Sequence, residues 1–357
     1  MDGGTVVAAL SSAPAAVEMT ADLLDIRNLS VRFPVGKQWA AAVDGVSLRV
    51  NQGRVLGLVG ESGSGKSLTA LSAMGLIPPP GKVNATRLCV HGMEMQHGDE
   101  DAWRRVRGRR VAMIFQEPMT ALNPLARIGD QITEVMIIHG IADGSTARNR
   151  AVALLERVKI PDPARRAQSF PHQLSGGQRQ RAMIAMALAG EPDLLIADEP
   201  TTALDVTVQS AIIELLREIK AERDMGMIFI SHNLGLVSSI ADDIAVMYAG
   251  RIVEHGATKS VLSNPAHPYT NGLISTVPKL RRNRTGGKRR LVSIEGTVPQ
   301  LDERPPGCRF SPRCSHADER CRRDEPDLAR SRSSARAVAC WNPVEPPSSV
   351  QGSEEDA

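Results

Sequence analysis

One short stretch limits the fold of this chain more than any other feature. Residues 60–67 read Gly-Glu-Ser-Gly-Ser-Gly-Lys-Ser, the G-x-x-x-x-G-K-S/T pattern of a loop that wraps around phosphate groups between a strand and a helix. The apolar run at 55–59 before it is typical of a strand buried on both faces. The residues expected to surround the phosphates of a nucleotide are Gly60, Glu61, Ser62, Gly63, Ser64, Gly65, Lys66 and Ser67.

The rest of the chain alternates between strand-like and helix-like patterns. Apolar runs at 193–197 and 227–230 resemble the one before the phosphate loop. Helical patterns lie between the runs, at 67–76, 148–158, 178–189 and 208–223. This order predicts an α/β fold whose core is a mostly parallel sheet. Alternating patterns at 24–33 and 43–50 predict an additional antiparallel β subdomain.

Length and composition predict two folded units between two tails. At 357 residues the chain is longer than one small core requires. We expect a nucleotide-binding domain at 22–258, with a largely helical insertion at about 117–190, and a smaller module at 259–344 that holds four of the five cysteines. The Ala-rich segment 1–21 and the acidic segment 345–357 are expected to be disordered.

The bulk properties favour a protein of the cell interior. A net charge of +3 does not indicate nucleic-acid binding, and the basic run at 103–110 is interpreted as a solvated face. No apolar run approaches the roughly 18–20 residues that cross a bilayer. Residues 1–21 lack the basic start of a signal peptide. If the protein serves a membrane, we expect it to do so from the surface.

Polar residues follow three of the predicted buried strands. Asp198 and Glu199 end one, His232 ends another, and Gln116 follows the apolar run at 111–115. Because strand ends line the ligand crevice of such sheets, Asp198 is predicted to hold Mg²⁺, together with the Ser67 hydroxyl of the phosphate loop. Gln116 is predicted to bind Mg²⁺ or the attacking water. Glu199 can accept a proton from an attacking water, with His232 fixing the γ-phosphate and that water. The sequence therefore predicts nucleotide hydrolysis.

A second glycine-rich turn has no lysine. Leu174-Ser-Gly-Gly-Gln178 enters a helix, with Ser175, Gly176, Gly177 and Gln178 at its start. In isolation it could be a helix that Ser175 simply caps. One nucleotide needs only one phosphate cradle, so the economical prediction is that each nucleotide lies between the loop of Gly60 in one chain and that of Ser175 in another.

Taken together, these motifs resemble the ATP-binding-cassette (ABC) family over roughly residues 22–257. Residues 60–67 match the Walker A loop, Gln116 the Q-loop, 174–178 the signature, 194–199 Walker B with its catalytic glutamate, Asp205 the D-loop, and His232 the switch histidine. The resemblance implies an ATPase with ATP and Mg²⁺ as ligands. It also implies an aromatic residue on adenine, for which Phe33 is the best match and Trp39 a competitor.

Within that family the chain is most similar to ATPase subunits of dipeptide and oligopeptide importers. The similarity lies in residues 116–124, 201–209, 264–270 and 305–314. It implies a peripheral protein on the cytoplasmic face of the cell membrane. The implied partners are two permease subunits, a second ABC ATPase in a homodimer or heterodimer, and an extracytoplasmic peptide-binding protein. Nickel importers share these features, so nickel or another small cargo is the alternative.

The cysteines suggest a metal site. Cys308, Cys314, Cys321 and Cys340 have five, six and eighteen residues between them, without the tight C-x-x-C knuckle of common zinc sites. Spacing alone leaves Zn²⁺ and an iron–sulfur cluster equally open. The resemblance to importers with a four-cysteine C-terminal group favours a 4Fe–4S cluster as a structural staple.

A different class of protein must be weighed against the importer. Some ABC ATPases act on ribosomes or DNA, and these usually carry two cassettes or long coiled-coil insertions. This chain has one Walker A loop and no sustained heptads. Both features favour transport over the alternative. An export ATPase is a weaker option, because the 264–270 segment and the four-cysteine tail are importer features.

Overall fold

The computed structural model describes residues 22–202, 204–276, 294–330 and 336–344. Both predicted tails lie outside the described residues. Within them the chain forms two sheets, one antiparallel and one mainly parallel. In the described part of the chain, no helix has the length and apolar character needed to span a bilayer.

The antiparallel sheet is built on one long hairpin. Its strands are β1 (Asp22–Val35), β2 (Gln38–Asn51), β4 (Lys82–Asn84), β5 (Arg87–Val90) and β6 (Met93–Glu94). β1 lies at the centre and pairs with β2, β4 and β5. The alternating patterns at 24–33 and 43–50 therefore mark real antiparallel strands, as predicted.

The larger sheet carries the parallel core. Its strands are β3 (Val55–Val59), β7 (Val111–Ile114), β8 (Leu194–Asp198), β9 (Gly226–Ser231), β10 (Asp243–Tyr248), β11 (Arg251–Ala257), β12 (Ala329–Arg330) and β13 (Ala337–Val338). The spatial order is β12-β13-β11-β10-β3-β9-β8-β7. The five strands from β10 to β7 are parallel. The C-terminal strand β13 extends this sheet by pairing with β11.

Burial on both faces explains the continuous apolar runs. Along β3, Leu56 and Leu58 belong to the hydrophobic cluster shared with the antiparallel sheet. Val55 and Val59 belong to the cluster on the opposite face, under the helices. Because successive side chains point to opposite faces, every residue of the strand must be apolar or small.

Twelve α-helices are found in the described residues. They are α1 (Lys66–Ala73), α2 (Glu100–Val106), α3 (Pro118–Ala121), α4 (Ile128–Ile138), α5 (Gly144–Arg157), α6 (Pro163–Ala167), α7 (Gly176–Leu188), α8 (Val206–Arg223), α9 (Leu234–Ile240), α10 (Thr258–Ser263), α11 (Pro268–Thr276) and α12 (Glu319–Arg323). Helices α3 to α7 all lie between β7 and β8.

Helix α1 is shorter than its sequence pattern predicts. The pattern extends to Leu76, whereas the helix ends at Ala73. Gly75 has a φ of +62°, and a Cβ there would lie 2.3 Å from the buried ring of Trp103. A glycine that both adopts the left-handed region and admits a packed indole ends the helix.

A buried carboxylate of the cassette helps to anchor the C-terminal module. Glu254 of β11 is fully buried. Its two oxygens accept hydrogen bonds from the backbone N–H groups of Ala266 and His267, both at 2.9 Å. A buried charge needs such partners. The segment before α11 is therefore fixed to the large sheet.

Candidate active site

The phosphate loop is shaped by glycines that no other residue could replace. Gly60 and Gly65 have φ values of +157° and +100°. A Cβ on Gly60 would lie 2.1 Å from the carbonyl oxygen of Met247. Lys66 spans the loop, because its Nζ donates to the carbonyls of Gly60 and Glu61, both at 2.9 Å. Burial lowers the pKa of Lys66, and nearby carboxylates, that of Glu199 first, oppose the shift.

Asp198 is a buried carboxylate at the end of β8, next to the phosphate loop. It is only 4% exposed, and its Oδ1 is buried without a hydrogen-bond partner among the described residues. Burial raises the pKa of Asp198, and a hydrogen bond from the Ser67 hydroxyl opposes the rise. An orphaned carboxylate oxygen beside a hydroxyl fits Mg²⁺, which typically takes few protein ligands and completes its shell with phosphates and water.

The other candidate catalytic side chains lie around the carboxylate of Glu199. Its Oε2 accepts a hydrogen bond from the hydroxyl of Thr202 at 2.8 Å and lies 3.4 Å from Nε2 of Gln116. Nδ1 of His232 lies 3.3 Å from the same oxygen. The structure thus brings Gln116, Glu199 and His232 together from three strand ends. The sequence analysis included Thr202 only within the family segment 201–209, without a role of its own.

Glu199 also adopts an unusual backbone conformation. Its φ is +45°, in the left-handed region that costs a non-glycine residue energy. The side chain is 14% exposed, whereas that of His232 is 63% exposed. The carboxylate is therefore directed by its backbone and its neighbours, and the histidine remains accessible.

The second glycine-rich turn does not line this pocket. Ser175 begins α7 with a capping box: its Oγ accepts from the N–H of Gln178, and Oε1 of Gln178 accepts from the N–H of Ser175 at 3.1 Å. Ser175 and Gly176 are exposed. Asp205 caps α8 through the N–H of Val208 at 2.9 Å. Within one chain, the signature is thus a capped helix start on the surface.

The pocket itself has a cavity volume of about 490 Å³, within the usual range for ligand sites. Residues of the phosphate loop, Gln116 and Glu199 line it, together with residues 298–301 and Arg304 of the C-terminal module. The two predicted adenine partners are not among the lining residues. Phe33 packs beside Gly81, and Trp39 is 42% exposed, with Nζ of Lys82 4.1 Å from its ring centroid.

The C-terminal module also contacts the phosphate loop from outside. The hydroxyl of Tyr269 accepts a hydrogen bond from the N–H of Glu61 at 2.8 Å. Arg313 forms two parallel hydrogen bonds to the Glu61 carboxylate, at 2.6 and 3.0 Å. Bidentate pairs of this kind are strong and directional. The sequence marked the segments around Tyr269 and Arg313 only as family features, without a role.

The four C-terminal cysteines line one narrow cavity. Cys308, Cys314, Cys321 and Cys340 surround it with His267 and Trp341. Burial raises the pKa of all four thiols, that of Cys340 to about 12. Across the described ranges, no group of three or more His, Cys, Asp or Glu side chains is placed to hold a metal ion. The four cysteines therefore line the same cavity, but their sulfur atoms are not placed to bind a single metal ion.

The phosphate loop, the paired acidic residues after β8 and the adjoining antiparallel sheet define an ABC-type P-loop ATPase. Residues 43–202 match the family described as "ABC transporter", and residues 253–321 match "Oligopeptide/dipeptide transporter, C-terminal region". The ATP-binding cassette MJ0796, solved as a dimer bound to ADP and Pi, is 26% identical with a TM-score of 0.60, covering 66% of this chain and 98% of that one. CbiO1 from Clostridium perfringens is 25% identical with a TM-score of 0.56, and the match covers 68% of this chain and 90% of that one.

Curated relatives give a narrower answer. Dipeptide transport ATP-binding protein DppD of Escherichia coli is 49% identical over 306 residues, 86% of this chain and 92% of that protein. DppD of Haemophilus influenzae is 48% identical, over 90% and 96%. A putative peptide import ATP-binding protein of Brucella abortus is 47% identical, over 90% and 95%. The chain therefore belongs to the ABC transporter ATPases of the peptide-import ATP-binding protein family, which confirms the resemblance and the predicted ATPase activity.

Proposed function

We propose that this chain is the ATP-hydrolysing subunit of an importer that carries dipeptides or oligopeptides across the cytoplasmic membrane. The supporting observation is its similarity, over nearly its whole length, to relatives named for dipeptide transport and peptide import. In this proposal it lies on the cytoplasmic face, bound to two permease subunits and a second ABC ATPase. An extracytoplasmic peptide-binding protein delivers the cargo.

The proposed hydrolysis uses the residues gathered at the strand ends. Lys66 and the loop N–H groups hold the β and γ phosphates, and Glu199 accepts a proton from the attacking water. His232 and Gln116 position that water and the γ-phosphate. Asp198 and Ser67 would hold Mg²⁺, with Gln116 as a further ligand. When bound, Mg²⁺ neutralises charge on the phosphates.

The nucleotide is proposed to lie between two chains. The exposed position of Ser175, outside the pocket of its own chain, supports this arrangement. Ser175 and Gly177 would reach the γ-phosphate held by the opposite subunit, with Gly176 and Gln178 shaping the turn and Asp205 lying at the interface. Phe33 is proposed to stack on adenine. ATP binding then closes the two subunits, and hydrolysis lets them separate.

A transport assay tests the cargo. The chain, its permease partners and its binding protein are reconstituted in vesicles, and ATP turnover is measured with dipeptides, longer peptides or Ni²⁺. We expect peptides to stimulate turnover several-fold and Ni²⁺ to have no effect. Stimulation by Ni²⁺ alone would identify a metal importer. A chain that associates with ribosomes and with no membrane protein would contradict transport altogether.

The four cysteines are proposed to hold a 4Fe–4S cluster, with Zn²⁺ as the alternative. Four thiols around one cavity supply the ligand set that such a cluster requires. The cluster would have a structural role, in which it stabilises the folded C-terminal module. The residues assigned to it are Cys308, Cys314, Cys321 and Cys340.

Anaerobic purification tests this assignment. We expect iron and sulfide in equal amounts, and a visible absorbance band that Cys321→Ser abolishes. Cys89→Ser is the matched control, because Cys89 is a buried cysteine of the antiparallel sheet, far from this group in the chain. Zinc in place of iron would decide for the alternative, and a protein free of both metals would refute a metal site.

A further inference from the structure

The nucleotide pocket has a wall that the catalytic motifs do not explain. The phosphate loop, Gln116 and Glu199 account for the part of the cavity that deals with phosphates and water. The remaining described lining residues are Ala42, Leu68, residues 298–301 and Arg304. A nucleotide extends beyond its phosphates by a sugar and a base. These remaining residues are therefore available to contact the sugar and the base.

Arg304 holds this wall against the cassette. Its guanidinium donates to the backbone carbonyl of Ala41 and, at 3.5 Å, to that of Ala42. Ala42 belongs to β2 and lies against the phosphate loop, since a Cβ on Gly65 would be 3.2 Å from its carbonyl oxygen. The C-terminal module thus reaches the cavity at the start of α1.

Arg304 also retains an unused donor. Its Nε is buried and has no hydrogen-bond partner among the described residues. Burial lowers the pKa of Arg304 to about 10, with Arg309 adding to the shift, so the side chain is still a cation at neutral pH. Because the Arg304 side chain also lines the cavity, it offers a cation to the polar atoms of a ligand there.

The other residues of the wall suit a nucleobase. Val298, Pro299 and Leu301 are half-buried apolar residues, and Gln300 is an exposed amide. A purine has apolar faces and a polar edge. Apolar side chains beside one amide and one guanidinium match both properties.

We infer that residues 298–304 form the sugar-and-base wall of the nucleotide pocket, with Arg304 contacting the nucleotide directly. The C-terminal module then completes the site for ATP and ADP, in addition to any face that Phe33 supplies. This inference rests on the proposed binding of nucleotide at the Walker A loop. It predicts that damage to the wall weakens binding of nucleotides but not binding of phosphates alone.

Binding of ADP and of inorganic pyrophosphate to the full chain separates these effects. With Mg²⁺ present, calorimetry should show that Arg304→Ala weakens ADP binding about tenfold, as expected for a lost charged hydrogen bond. Pyrophosphate binding should change less than about twofold on the same scale. Arg304→Lys should give an intermediate loss, because lysine keeps the charge without the planar fork.

Two further variants keep the test decisive. Leu301→Ala leaves the bonds of Arg304 to the cassette in place, and it should weaken ADP binding about threefold or more while sparing pyrophosphate. Arg323→Ala, at an exposed arginine of the same module outside the pocket lining, should change neither. If Arg304→Ala fails to fold, Leu301→Ala alone tests whether residues 298–304 contact the nucleotide.

Two results would overturn the inference. Unchanged ADP binding in both wall variants would remove residues 298–304 from the site. Equal losses for ADP and pyrophosphate would show that Arg304 only supports the phosphate loop. A wild-type chain that binds neither ligand would overturn nucleotide binding itself, which is a separate failure.

Discussion

Replacement of Glu199 by glutamine is expected to lower ATP turnover by about two to four orders of magnitude, the usual contribution of a general base. Glutamine has the same shape, and its amide oxygen can still accept from Thr202 and Gln116, the present neighbours of Oε2. It cannot accept a proton from water. ATP affinity should therefore be preserved. The measurements are phosphate release at saturating ATP and the Kd for ATP.

The control for this variant is another glutamate in the same chain. Glu214→Gln changes an exposed carboxylate on α8 that pairs with Arg217. It removes the same charge from the molecule, far from the phosphate loop in the chain. We expect wild-type turnover. If Glu199→Gln retains full turnover as well, Glu199 is not the base, and the water must be activated by another group.

Two variants that are each inactive alone are expected to regain ATP turnover when the two variant proteins are mixed. Lys66→Ala removes the cation of the phosphate loop. Ser175→Asp places a negative charge where the γ-phosphate of the opposite chain is proposed to lie, yet aspartate caps a helix as well as serine does. Each variant alone should lose most turnover, on the order of a hundredfold for an electrostatic contact of this kind.

A dimer of one Lys66→Ala chain and one Ser175→Asp chain contains one intact pocket. It combines Lys66 of one chain with Ser175 of the other, whereas the second pocket carries both defects. With random pairing of equal amounts, roughly a quarter of the pockets are intact, and turnover should recover accordingly. Where the partner is a second, non-identical ATPase, a signature variant in that partner affects the same pocket as Lys66→Ala in this chain. The double variant should then lose no more turnover than either single variant. Full activity of Ser175→Asp alone would refute the shared pocket.

The clustering of the candidate catalytic residues could be predicted because they follow the ends of neighbouring strands. A run such as 194–198 must be apolar to be buried on both faces, so the first polar residue marks where the strand leaves the sheet. Neighbouring parallel strands end at the same edge, which brings Gln116, Glu199 and His232 within reach of one another. The sequence shows where each buried strand ends, because burial on both faces requires an apolar run and the run stops where the strand leaves the sheet.

The contacts of the C-terminal module could not be predicted in the same way. Arg313 pairs with Glu61 across 252 residues, and Tyr269 reaches the same loop across 208. No periodicity or spacing encodes which arginine of a basic, proline-rich segment meets a given carboxylate. Arg304 escaped notice for the same reason, because tertiary packing alone gives it its neighbours. Thr202, by contrast, lies only three residues from its partner Glu199.

The buried carboxylate of Glu254 links the two sides of the predicted border near residue 258. Its two backbone donors come from Ala266 and His267, beyond that border. A polypeptide cut there would lose both donors, the strand partner Val338, and Arg336, whose Nε lies 3.6 Å from the Glu254 carboxylate. The ATP-binding part and the C-terminal module are therefore expected to unfold as one cooperative unit.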